Sequence, residues 1–108
     1  MEMKAVRAMA AADRDAILAR RKVQTEYRQV HTRFRSSLTI LQHSEATNIA
    51  LQKRANDLEN AWKVGEVPVI EYLRARRSAL EAQQRASQAN VVWHTAMIRM
   101  MLLTGGTP

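Results

Sequence analysis

The chain has 108 residues, with 17 Lys and Arg against 10 Asp and Glu and no cysteine, a net charge of +7 and an isoelectric point near 10.8. That length holds one domain at most, and the missing cysteine excludes disulfides and thiolate metal sites. With 3 Gly, 2 Pro and 5% aromatics the composition is helical; no run of about 18 apolar residues marks a transmembrane helix, and the charge-broken opening Met1-Glu2-Met3-Lys4-Ala5-Val6-Arg7 does not read as a signal peptide.

From Val23 to Trp62 the apolar positions alternate in steps of four and three: Val23, Tyr27, Val30, Phe34, Ser37, Leu41, Ser44, Asn48, Leu51, Ala55, Leu58 and Trp62. This is the seam of a coiled coil. Ser37, Ser44 and Asn48 weaken its middle, while Leu38, Ile40 and Ile49 widen the apolar face. Ahead of Val23 the pattern loosens, through Met9, Ala16 and Ile17, and fraying is expected near Met1. No Pro or Gly interrupts residues 1–64, so a helix is predicted over about 3–64, roughly 90 Å long.

Arg7, Arg14, Arg21, Arg28 and Arg35 recur at intervals of seven. In the seam register they fall at the outward b position, where coiled coils ordinarily carry charge. The competing reading is a rail for a polyanion such as nucleic acid. It is disfavoured because no recognition helix or comparable motif accompanies the charge. His31 and His43 lie about 18 Å apart along a helix, too far to share a metal within one chain.

The segment Ala61–Ala75 reads as a reversal over residues 64–68. Gly65 supplies the left-handed conformation that ends a helix, and Pro68 presets φ for the first turn of the next. Glu71 falls in that first turn, where the positive end of the helix dipole favours an anion.

A second helix is predicted over about 68–103, ended by Gly105-Gly106-Thr107-Pro108. Its repeat is Tyr72, Ala75, Ala79, Ala82, Ala86, Ala89, Trp93, Ala96, Met100 and Leu103, an alanine seam that lets two helix axes approach closely. Ile70, Leu73, Leu80, Val91, Ile98 and Met101 form a second stripe on the far side. A surface helix normally has one apolar stripe, so two imply a neighbour on each side.

His94, Met97, Met100 and Met101 carry soft donors that suit Cu(I), and His94, Met97 and Met101 share a face. Methionine is also a common packing residue, and Met100 continues the alanine seam, so no metal site and no cofactor are assigned. Enzymatic activity is not expected. There is no cysteine nucleophile, no glycine-rich phosphate loop and no His-Glu-x-x-His pattern. Glu59 with Lys63, and Glu81 with Arg85, are ordinary i,i+4 pairs.

Trp62, Gly65, Glu71, Leu73, Ala75 and Leu80, followed by Glu81-Ala82-Gln83-Gln84-Arg85-Ala86-Ser87-Gln88-Ala89, resemble the periplasmic helical region of the TolC-like outer-membrane efflux protein family. The likeness runs from about Ala46 to Gly106. It implies a parent protein in the periplasm and outer membrane, trimeric, working with a periplasmic adaptor (membrane fusion) protein and an inner-membrane pump to export metal ions or small toxic compounds. It further implies that Val64, Gly65 and Glu66 at the tip contact the adaptor and that Glu71 and Arg74 face the duct entrance. The chain departs from the family pattern in three ways. Pro68 replaces a capping Ser or Thr, Arg74 stands where a second acid is usual, and the membrane β-strands and the other half of the tandem repeat are missing. A Trp-Lys-Val-Gly spacing also fits the small secreted WXG-type hairpins less well, being one residue too long.

The expected fold is therefore all-α: a long antiparallel two-helix coiled-coil hairpin. A lone hairpin has no third element to close a core, so self-association is expected, as a dimer of hairpins when isolated. The alternative function is a standalone basic coiled-coil module for an anionic partner.

Overall fold

Unbroken helix-forming sequence on either side of one glycine-proline turn produces two rods. The computed structural model describes residues 2–105, in which α1 spans Glu2–Lys63 and α2 spans Val69–Leu103. Both predicted helices lie within one residue of these bounds at each end. The expected fraying at Met1 and the stop at Gly106-Thr107-Pro108 fall outside the described residues. The rods fold back on each other as an all-α antiparallel hairpin measuring 94 × 25 × 13 Å.

The seam between the rods is built from small side chains. Ala75, Ala79, Ala82, Ala86, Ala89 and Ala96 of α2 are buried, facing Ser37, Leu41 and Ala55 of α1. Ala55 and Ala79 are both fully covered, and with Ala75 they form the best-packed cluster, flanked by Leu51 and Leu58. Methyl-sized residues bring the backbones close enough for a cross-link that larger ones would forbid. Gln52 of α1 donates its Nε2 to the Ala79 carbonyl of α2 at 2.9 Å, and the same amide reaches Asn48 Oδ1 at 3.1 Å. Two of the three polar residues in the middle of the predicted seam thus have partners. Asn48 and Gln52 hold each other, and Ser37 donates its Oγ to the Phe34 carbonyl at 2.8 Å. A buried polar group costs stability only when it lacks such a partner.

The rods are unequal: 62 residues in α1 against 35 in α2. At 1.5 Å per residue α1 outruns its partner by roughly 40 Å. Every residue from Glu2 to Gln29 is accordingly exposed. This corrects the upper end of the predicted seam, since Val23 is 64% and Tyr27 44% exposed. The heptad pattern continues there, but α2 has already ended. Because residues Glu2 to Gln29 bury nothing against α2, a chain starting at Val30 should lose helical signal yet melt within about 3 °C of the parent, as expected for a change of a few tenths of a kcal/mol. Circular dichroism melts at a concentration where both are monomeric test this. A drop beyond about 8 °C would mean that the overhang folds back onto the hairpin.

Candidate functional site: the hairpin tip

The turn closes α1 with a Schellman arrangement. The Glu66 amide donates to the Ala61 carbonyl at 2.8 Å and the Gly65 amide to the Trp62 carbonyl at 2.9 Å, the 6→1 and 5→2 bonds that satisfy otherwise orphaned helix-end carbonyls. This geometry requires a positive φ, and Gly65 adopts +77°. A Cβ there would meet nothing within 4 Å, so the glycine is needed for its backbone conformation rather than for space.

Pro68 is the N-cap of α2, with φ −64° and ψ 150°, and no side chain caps the helix. It stands one position ahead of its expected place in the first turn. Its own carbonyl accepts from the Glu71 amide at 3.1 Å. Glu71 lies in the first turn, where its carboxylate offsets the exposed amides of the uncapped end.

An aromatic and ionic clasp fixes the tip. Trp62 at the end of α1 stacks on Tyr72 at the start of α2, with centroids 5.4 Å apart and planes within 10°. Arg76 also lies over the Tyr72 ring, 5.5 Å from its centroid. Its Nη2 then crosses to α1, donating to Asn56 Oδ1 at 3.1 Å and Glu59 Oε2 at 3.3 Å. The expected pairs are also present, Lys63 with Glu59 at 3.8 Å and Arg85 with Glu81 at 3.9 Å. Sequence reasoning missed Arg76. The available signal was its e position beside Ala75, because Glu59 occupies e on α1 and flanking positions form the ion pairs between coiled-coil helices.

Val64, Gly65 and Glu66 project from the apex, all exposed, Val64 to 70%. Glu71 and Arg74 line one open groove of about 480 Å³ below the apex, together with Arg54 of α1. The five residues that the resemblance singled out thus lie together at one end of the rod, with mixed charge in the groove.

Away from the tip, the far stripe of α2 has no cover. Ile70, Leu73, Leu80, Val91 and Ile98 are all at least half exposed, while Met101 is half-buried. The arginine series from Arg7 to Arg35 is fully exposed, and none of the five joins an ion pair among the described residues. His94 packs edge-on against Trp93 at 4.8 Å, and its Nδ1 is 2.8 Å from the Asn90 carbonyl, which commits that nitrogen as a donor. Met97, Met100 and Met101 are half-buried, as packing residues are. Among the described residues no three His, Cys, Asp or Glu side chains gather as metal ligands do, and no helix is long and apolar enough to cross a membrane. No protein-family model, curated protein or solved structure matches the chain.

Proposed function

We propose that this hairpin is a wall segment of a TolC-like periplasmic duct, passive in mechanism, whose tip docks an adaptor protein. The observation that carries the reading is the two-sided character of α2. One face is spent on α1 through buried alanines, and the opposite face presents a row of aliphatic side chains to solvent. A helix in the wall of a helical barrel needs neighbours on both flanks, and this one is furnished for both. The neighbour is a further hairpin, so self-association belongs to the same reading.

The clasp of Trp62, Tyr72 and Arg76 supports a docking role for the apex. It holds the turn in place without using Val64, Gly65 or Glu66, which stay free for a partner. Glu71 and Arg74 would face the entrance of the duct, where their opposite charges pass small ions and neutral compounds rather than selecting one sign. The reading assigns no enzyme activity and no cofactor, and it places the parent protein at the periplasm and outer membrane.

The test is photocrosslinking in the native host. A photoreactive residue in place of Val64 should capture an adaptor protein, and Glu66→Arg should reduce that capture several-fold without loss of helicity. Capture of nothing from the cell envelope would count against docking. The exposed arginine series favours the second reading, a basic module for nucleic acid. Submicromolar DNA binding with a steep log–log salt slope would select that reading instead.

A further inference from the structure

The acids of this protein are unevenly placed. α1 has none between Glu26 and Glu45, and α2 has none after Glu81. These two stretches face each other at the end of the hairpin opposite the tip. They bring together Arg28, Arg33, Arg35 and Arg99 with no carboxylate among them; Arg85, nearer the tip, pairs with Glu81 at 3.9 Å. The ion pairs of the described residues all lie nearer the tip or at its border, on Glu59 and Glu81. Charge in this section is therefore uncompensated from within the chain.

An apolar groove runs through that section. Val30 and Ile40 of α1 and Val91 and Val92 of α2 line a cavity of about 340 Å³, with Arg33 and Arg99 at its edge. A second cavity of about 320 Å³ continues it toward the tip, sharing Ser37, Ile40 and Val92 and lined as well by Ala89, Gln88 and Arg85, whose charge Glu81 takes up. Each falls within the size range of small-ligand sites. From Arg99 to Gln88 the groove extends roughly 16 Å along α2, the reach of a medium-length acyl chain.

We propose that this groove binds a single-chain anionic amphiphile, a fatty carboxylate, with its head between Arg33 and Arg99 and its tail along Val91, Val92 and Ile40. Charge complementarity selects the occupant. Two guanidiniums without a carboxylate partner stand at one end of an aliphatic trough, and arginine forms forked, charge-assisted bonds to a carboxylate. The tail removes Val91 and Val92, 66% and 57% exposed, from water. This proposal does not depend on the duct reading.

Trp93 follows Val92 in the chain and reports on the groove, whereas Trp62 sits at the tip, roughly 30 Å away along α2. In the full chain carrying Trp62→Phe, a brominated dodecanoate kept below its micelle concentration should quench Trp93 saturably. Arg33→Gln/Arg99→Gln should weaken that binding at least tenfold with helicity unchanged, and the uncharged brominated dodecanol should bind at least tenfold more weakly than the carboxylate. Sedimentation during the titration reads the other occupant. If a second copy fills the groove, no quenching occurs and the double variant changes the sedimentation coefficient, which overturns the proposal. Equal quenching by carboxylate and alcohol, or by parent and double variant, overturns it as well.

Discussion

Ala79→Leu is expected to lower the stability of the hairpin by about 1–3 kcal/mol, a fall in melting temperature of roughly 5–20 °C for a domain of this size. Ala79 is fully covered and faces the equally covered Ala55, within a cluster completed by Ala75, Leu51 and Leu58. An added isopropyl group has no void to enter, so the helix axes must separate. Separation also breaks the bond from Gln52 to the Ala79 carbonyl, now 2.9 Å, and leaves an amide and its acceptor short of a partner. Two comparisons isolate the cause. Gln84→Leu adds an aliphatic side chain on the exposed outer side of the same helix and should change stability by no more than about 0.5 kcal/mol. Leu51→Ala introduced into Ala79→Leu returns volume to the cluster and should recover part of the loss. Thermal and urea melts of the four chains decide it. An Ala79→Leu chain as stable as its parent would show that close approach is not what holds the rods.

The alanine seam was readable because its period is strict. Ala75, Ala79, Ala82, Ala86, Ala89 and Ala96 fall on the a and d positions without exception, and a residue type too small to tolerate misplacement marks the closest approach. Gly65 was readable for a different reason, since a left-handed backbone admits few alternatives to glycine. The error at Val23 and Tyr27 came from treating periodicity as proof of burial. Heptad spacing says which face of a helix is apolar, but burial also requires that the partner be long enough. The turn near Gly65 and the stop at Gly105 already limit α2 to a little over half the length of α1, and that arithmetic leaves Val23 and Tyr27 beyond its end. The far stripe of α2 was read the other way round, as a face wanting a neighbour; Leu73, Leu80 and Ile98 are about half exposed in the hairpin, and a neighbour's identity is written in no residue of this chain. The same holds for Val64 and Glu66, since a docking residue is defined by a partner whose surface no residue of this chain encodes. Arg76 was missed because its heptad e position marks a flanking charge but does not by itself say which residue of α1 it meets. Its contacts to Tyr72, Asn56 and Glu59 exist only once the register across the turn is known.

Leu73→Glu/Leu80→Glu/Ile98→Glu is expected to abolish self-association while leaving the hairpin intact. The three side chains are 52%, 55% and 53% exposed, on the side of α2 away from the alanine seam, so charging them breaks no contact with α1. Covering each in an assembly is worth on the order of 1.5 kcal/mol through the hydrophobic effect, and burying three carboxylates without partners adds a further penalty. Together these exceed about 4 kcal/mol, a loss of at least roughly a thousandfold in association constant. In sedimentation equilibrium the parent should show a concentration-dependent mass above the 12.3 kDa chain mass, and the triple variant should hold that chain mass throughout. Val6→Glu/Met9→Glu, which charges the overhang instead, should leave the parent's association within about threefold, because a change that removes no interface burial carries little free energy. The contrast locates the interface. If the triple variant retains the parent's assembly and the overhang variant loses it, hairpins join through the free end of α1, and the far face of α2 is not a wall surface at all.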